Sequence, residues 1–468
     1  MPGKQRGIID VLKSMGTSTM ISDVPSYGNT IFYSFGFLML TCFVVLILTG
    51  IALVFLGPAW WDTTVFGVFT RSVHSWAAQA FVFFLFLHAF VVFSTSAFKK
   101  RRKFVWMLGT LLLFLVVIEA EFGYGLRTDF ISQWRSLSGA DFWNGSGLGF
   151  YINPLNYLQM FSIHTLIFPL LILALVTLHY FTVKKLGIAK PYRTDIDYKM
   201  VKADHWALFR RGIALVVVIC LMAILFPYPF VPQVTIQHVA LSEPSLVATT
   251  LLQELNSTSN TATYVDNIAP YTFNTSRVFV LTPYDAYARI HAGNNSAKLF
   301  ANESASLKVQ EIANAFSYFS NNGTIKDGLN YSNHAVSMVS ALVLMAQTGI
   351  YEPLLQNAAP GNSNETLVLR FLSDTGYLGD KAEGMGIGLG QYGMIKDGNG
   401  IFPPNSWWLL PINLLDNTIL ANSANQDMYG AEALAITLLL MLAFPFMPYV
   451  NQIPDKLGLY KLFWKTKK

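Results

Sequence analysis

The sequence predicts an all-α membrane protein that crosses the bilayer six times, and three observations carry that reading. The 468-residue chain is 53% hydrophobic, 14% aromatic and only 13% charged, which is the balance of a membrane protein rather than a soluble one. Apolar runs fall near 31–56, 76–98, 104–122, 156–182, 212–231 and 431–450, each long enough for a hydrocarbon core of ~30 Å. With all six runs spanning, the basic clusters Lys99–Lys103, Lys184 through Arg211 and Lys456–Lys468 fall on one side, as cytoplasmic loops do. The net charge of +5 discriminates little by itself.

Residues 1–30 read as a cytoplasmic segment, carrying Lys4, Arg6 and Lys13 and lacking the short apolar stretch of a cleaved signal. The first run holds Gly36 and Gly50, fourteen residues apart, and the third holds Gly109 and Gly123 at the same spacing. Between them, the stretch 71–93 carries His74 and His88, again fourteen apart. On a helix that is four turns less about forty degrees, so both imidazoles share a face, with a rise of roughly 21 Å. The fourth run repeats the device with His164 and His179, fifteen apart and close to one face.

A lone histidine in an apolar helix reads as a satisfied core residue. Ionisable groups inside spans are rare and usually functional, however, and four at matched spacing read as ligands of two metal centres stacked across the membrane. Glycine costs about 1 kcal/mol in a helix interior, and its ordinary role in a span is close helix packing. The period shared with the histidines assigns these glycines a further role, clearing space for a flat macrocycle. The only cysteines, Cys42 and Cys220, lie in apolar runs, which excludes a disulfide framework, a CxxCH attachment site and an iron–sulfur ligand set.

Beyond a fifth helix at 212–231, residues 232–430 read as an extracytoplasmic domain, followed by a sixth helix at 431–450 and a cytoplasmic basic tail at 451–468. The long loop holds 15 acidic against 8 basic residues. It carries seven Asn-x-Ser/Thr sequons, at Asn256, Asn274, Asn294, Asn302, Asn322, Asn330 and Asn364, and Asn144 adds another in the preceding outward loop. Sequons are glycosylated only on the exported face, so a glycosylated outer insertion is expected. Ala335–Ile350 is apolar but short, and reads as a core helix of that domain with the amphipathic Ser306–Phe319 beside it. The glycine-rich 384–393 lacks the Lys-Ser/Thr ending of a phosphate loop. The expected location is a plasma membrane, with both termini cytoplasmic and the large loop extracellular.

The set Gly36/Gly50, Arg71-x-x-His74, His88, Gly109/Gly123-Tyr124, His164 and His179, with HYFTVKKLGIAKP at 179–191, resembles cytochrome b of the Rieske/cytochrome b respiratory and photosynthetic complexes. The resemblance covers about 1–230, and the fifteen-residue second spacing is like the chloroplast-type branch. It implies that 31–211 is a four-helix di-haem bundle, to which two further transmembrane helices and the glycosylated insertion are added. His74 and His164 would hold an outer haem beside Gly50 and Gly123, and His88 and His179 an inner one beside Gly36 and Gly109. Two b-type haems are expected, a modified A-type haem being the alternative. Bis-imidazole ligation leaves no open iron position, so electron carriage is implied. Arg71 would pair with a haem propionate. The implied partners are membrane quinone and a separate Rieske-type, copper or oxidase protein; a homodimer is compatible, and nothing points to nucleic acid.

The second half departs from the family. PPNSWWLLPINLL at 403–415 resembles a degraded Pro-Glu-Trp-Tyr motif, with Trp407-Trp408 as its aromatic pair and Ser406 in place of the glutamate. The family's Pro-Trp after Gly-Tyr-x-Leu is replaced by Arg127-Thr128-Asp129. A serine hydroxyl is no base at neutral pH, so Glu119, Glu121 or Asp129 is the candidate proton acceptor of an outer quinol site. The expected function is transmembrane electron transfer in exchange with quinone, as an archaeal cytochrome b-like respiratory subunit. The alternative is an electron-relay or scaffold subunit of a terminal oxidase supercomplex with a degenerate quinol site. A non-redox adhesin or channel, with structural histidines, is the rival from another class.

Overall fold

The computed structural model describes residues 21–191, 196–263, 274–290, 295–321, 332–358, 366–387, 407–423 and 425–465. Lys4, Arg6, Lys13, Ser406, the sequons Asn294, Asn322, Asn330 and Asn364, and the glycine-rich stretch from 388 onward lie outside them. Among the described residues the chain is almost wholly helical. Strands Asp23–Pro25 and Met200–Lys202 form a single antiparallel pair, with Val24 opposite Val201.

Six helices are long and apolar enough to cross a membrane: Ile31–Thr63, Val65–Ser94, Lys100–Gly125, Tyr157–Leu186, His205–Leu225 and Gln426–Phe446. The second begins well before the expected 76. A close turn makes this possible: Gly57 takes φ +74, Pro58 restarts the helix, and Thr64 caps the second span by accepting the Gly67 N–H. A Cβ on Gly67 would sit 2.1 Å from the Trp60 carbonyl oxygen, so only glycine fits there. The fifth span runs earlier than the expected 212–231. Asp204 caps it by accepting the Ala207 N–H, and Pro227 and Pro229 cannot extend it past Leu225.

The chain divides into two compact units. The first, Met1–Ala120, Thr165–Tyr228 and Ala435–Lys468, holds most of the spans. Phe35, Leu38 and Val91 pack at one end of the hairpin made by the first two spans, and Phe43 stacks on Phe81 further along it. The other faces leave Leu48, Ile51, Phe55 and Phe83 exposed, as suits helices solvated by lipid. Polar ties close the end that holds the strand pair. Arg211 reaches the Ser34 hydroxyl and the Asn29 carbonyl, Trp464 donates to the Tyr33 hydroxyl, and Asp455 takes Lys99 and Ser96.

The second unit, Glu121–His164 and Pro229–Leu434, is larger than the expected 232–430, because it includes helix Phe130–Gly145 and its flanks. It is called the insertion unit below. Its continuous core includes Phe130, Ile131, Val239, Leu251, Phe279, Leu342, Tyr351 and Phe371. Helix His334–Gln347 is as apolar as a span but is buried within this core, and the chain bends by 97° into Tyr351–Asn357. Helix Ala305–Asn321 buries Ile312, Ala315 and Phe319 and exposes Leu307 and Val309.

Inside this core Glu254 accepts a hydrogen bond from Ser259 at 2.7 Å, while Asp374 accepts the Thr261 N–H. Burial, followed by the adjacent Asp374 carboxyl, pushes Glu254 up from its ordinary 4.5 to about 9. The folded unit therefore keeps a proton that the unfolded chain releases above pH 4.5. That stabilisation is fully present in acid and is lost as pH rises through about 9. Hydrogen exchange in 244–263 is expected to quicken steadily with pH beyond its intrinsic chemistry, and Glu254→Gln to flatten that trend. Leu342→Ala is expected to destabilise the unit by about 2–5 kcal/mol through cavity formation, seen as faster exchange across 334–347; unchanged protection there would contradict the core assignment.

Candidate functional site

The four singled-out histidines lie on two spans and the four glycines on two others, and the structure sets them against each other one to one. A Cβ built on Gly36 would lie 3.7 Å from Cε1 of His88, and one on Gly50 would lie 3.4 Å from that of His74. For Gly109 and His179 the distance is 3.5 Å, and for Gly123 and His164 it is 2.7 Å. Any side chain at these glycines would thus occupy the space beside an imidazole. His88 and His179 also lie within electrostatic reach of each other in the first unit.

The unequal spacings have a local cause. Ile163–Ile167 forms a π turn inside the fourth span, with His164 on it. Pro169 follows at the start of the next α-helical stretch. It offers no N–H, and its ring crowds the carbonyl four residues back, so the preceding turn widens. A π turn takes up one extra residue. The fifteen-residue step from His164 to His179 thereby keeps the phase of the fourteen-residue step from His74 to His88.

One ring has a further support that the sequence reading missed. Thr49 Oγ1 lies 2.8 Å from His74 Nδ1 and donates its own hydrogen to the Val45 carbonyl at 2.7 Å. With that hydrogen committed, the hydroxyl accepts from Nδ1–H, leaving Nε2 as the lone-pair nitrogen for a metal. The signal was a threonine next to Gly50, one residue out of phase with the ligand pattern.

Arg71 precedes His74 by three residues on the second span. It is buried, with Nη1 2.8 Å from Asp62 Oδ1 and Nη2 donating to the Tyr228 carbonyl at 3.2 Å. Ser72 accepts the Tyr228 N–H, Trp76 donates to the Phe226 carbonyl and Gln79 donates to the Tyr228 hydroxyl. These side chains strap the segment after the fifth span onto the second, so Arg71 acts here as a positioning residue.

A family model described as cytochrome b(N-terminal)/b6/petB matches residues 79–240. Cytochrome b6 of Rippkaea orientalis is 31% identical over 193 residues, covering 36% of this chain and 85% of the relative. The chain belongs to the cytochrome b/b6 family. Cytochrome b6 of Cyanidium caldarium is 30% identical over 197 residues, covering 36% of this chain and 88% of its own. Among solved structures, a chain of a hyperthermophilic respiratory Complex III is similar at a TM-score of 0.40 and 18% identity, over 79% of this chain and 97% of that one. Membership makes this cytochrome b a multi-pass membrane protein of a haem-binding family. Its residues fit such a group: imidazoles supply the ligand chemistry, and each stands over a cradle that a single Cβ would fill.

The carboxylates proposed for a quinol site separate clearly in this cytochrome b. Asp129 is fully buried and structural. Its Oδ1 accepts the Ser132 N–H, Ser132 returns the capping box, and Oδ2 pairs with Arg127 at 2.8 Å. One of its oxygens thus caps a helix and the other is held by a guanidinium. Glu119 is half-buried on the third span. Glu121 is partly exposed and accepts a hydrogen bond from Trp408 Nε1 at 2.9 Å, with Arg135 Nη1 3.5 Å from its other oxygen. Arg135 lies 5.7 Å over the Tyr124 ring, and Tyr124 is 6.1 Å from Trp408.

Of the described sequons, Asn256, Asn274 and Asn302 are exposed, whereas Asn144 is half-buried with Oδ1 against Gly149. With His74 as a haem ligand, Thr49→Val is expected to weaken haem retention at that position by on the order of ten- to a hundredfold and to shift the reduction potential there. An unchanged potential with full occupancy would show that Thr49 does not set the tautomer.

Proposed function

We propose that this chain is the haem-carrying cytochrome b subunit of a quinone-linked respiratory complex, moving electrons across a plasma membrane. The observation that carries this is the one-to-one matching of four imidazoles with four glycines on separate spans. His74 and His164 would hold one haem, and His88 and His179 the other. When bound, two bis-imidazole b-type haems supply one-electron redox chemistry with no open iron position. The termini would be cytoplasmic and the acidic, sequon-bearing insertion unit outside, a reading that the distribution of basic clusters supports. A Rieske-type, copper or oxidase protein would be a separate chain.

Oxidation of a quinol releases two protons and needs a base near the ring oxygen. Glu121 supplies a carboxylate without Asp129 or Ser406. It sits on the same helix as Gly123 and two residues before it, and Trp408, from the segment resembling the family's aromatic pair, fixes one of its oxygens. Arg135 is nine-tenths buried, and its Nε and Nη2 have no hydrogen-bond partner among the described residues. These are donors of the kind a quinone oxygen accepts. In this reading Glu121 takes the proton and Arg135 orients the ring.

Pyridine haemochrome analysis is expected to give two haems per chain, and His88→Ala to remove one of them. In the intact complex Glu121→Gln should slow quinol-dependent haem reduction by at least about a hundredfold, the lower end of the usual acid–base contribution, with haem content unchanged. Fast reduction in that variant would dismiss Glu121 as the base. Absence of quinol-dependent reduction in the wild type would favour a relay subunit instead.

A further inference from the structure

The insertion unit carries a second cluster of ligand-type side chains, distinct from the histidines of the spans. Glu303 directly follows helix Ser296–Asn302, Glu311 lies in helix Ala305–Asn321, and His334 is the first residue of helix His334–Gln347. One donor atom from each lies within 4.8 Å of the other two. We infer that Glu303, Glu311 and His334 form a binding site for a first-row divalent cation, zinc being the best match, which ties three helices of this unit together.

Two of the donors are held in advance. Glu311 is buried, and its Oε2 accepts the backbone N–H groups of His334 and Ala335 at 3.0 and 3.3 Å. Asn333 donates to the Glu311 carbonyl and caps the helix by accepting the Val336 N–H. The carboxylate and the start of the histidine's helix are therefore fixed relative to each other.

The third donor is incompletely satisfied. The Glu303 side chain is only 10% exposed, and its Oε1 lies 3.6 Å from His334 Nε2, too far for a hydrogen bond. Glu303 Oε2 and His334 Nδ1 are buried with no hydrogen-bond partner among the described residues. Such atoms cost free energy unless something pairs with them. Burial, with the nearby Glu311 carboxylate adding to it, pushes Glu303 above its ordinary carboxyl range.

One divalent cation answers all of this at once. It balances two carboxylates, takes a lone pair from a neutral imidazole and occupies the orphaned oxygen. A mixed set of one imidazole and two carboxylates suits zinc and its first-row neighbours, whereas calcium and magnesium prefer oxygen alone. Zinc bonds of about 2.0–2.2 Å require the donors to close up slightly, and a water completes the tetrahedron. Glu303 makes that adjustment, because Glu311 is locked by its two N–H donors.

The test uses tag-free, full-length protein in detergent with its haems in place, treated with chelator, desalted and titrated with zinc chloride. Elemental analysis and calorimetry should show one zinc per chain. Glu303→Gln and His334→Gln should each weaken binding by at least about 100-fold, the upper end of what losing a mere supporting partner costs. The haem spectrum should be unchanged. Zinc should slow hydrogen exchange across 296–321 and 334–347, and calcium chloride should not. No zinc retained by the wild type, or zinc retained equally by both variants, overturns the site and leaves a helix cap with an ion pair. Should a variant fail to fold, X-ray absorption of the zinc-loaded wild type decides: one histidine with oxygen ligands supports the site, and sulfur or several histidines overturn it.

Discussion

Four imidazoles each face a position from which the side chain has been removed, and the helical bundle depends on that apposition. Each glycine costs its helix about 1 kcal/mol of propensity. An unfilled cradle would add lost dispersion contacts on both sides. In the proposed reading a flat haem would fill each such space, and cofactor binding and bundle stability would then be coupled. The common phase along all four spans would follow from the same need, since two haems stacked in the proposed way would require spaces roughly 21 Å apart along a helix. Pro169 and the π turn preserve that phase where the count of residues alone would break it.

The ligand pattern was legible because period is a property both of the sequence and of the helix. His74, His88, His164, His179 and their glycines needed only residue numbers and 3.6 residues per turn. Span ends were less legible. Residues 65–75 lower the local hydropathy through Arg71, Ser72 and His74, yet their polar groups are satisfied by Asp62, Tyr228 and Thr49. Hydropathy cannot register a partner that is distant in sequence. The partners of Asp129 were hidden for a related reason. An acid at the exit of a helix reads equally as a base or as the cap of the next helix, and only the structure shows the bond from Ser132 that makes it a cap.

The insertion unit shows the same limit on a larger scale. Helix His334–Gln347 has the composition of a lipid-facing helix, but its apolar surface is consumed by neighbours such as Ile312 and Phe319. Residues 121–164 belong to that unit although they precede it by two spans, since Phe130 and Ile131 join its core. The buried acids there were invisible as a set. Glu254 and Asp374 are 120 residues apart, and what brings their carboxyls together is tertiary packing.

The proposed quinol site depends on which element carries its acid. In the resembled family the glutamate sits beside the aromatic pair in a loop. Here Trp408 of that pair hydrogen-bonds a carboxylate delivered by the third span. A loop acid can swing, whereas Glu121 is fixed at one oxygen by an indole and faces Arg135 with the other. A base held in this way can receive a proton from a substrate but cannot carry it away by rotating. Release would need a second acceptor within reach, or water admitted to the partly exposed carboxylate. Glu119 cannot simply relay from the same face, because residues two apart on a helix point about 160° from each other. The proton path from Glu121 would therefore run through water at its partly exposed carboxylate, or through a second acceptor other than Glu119.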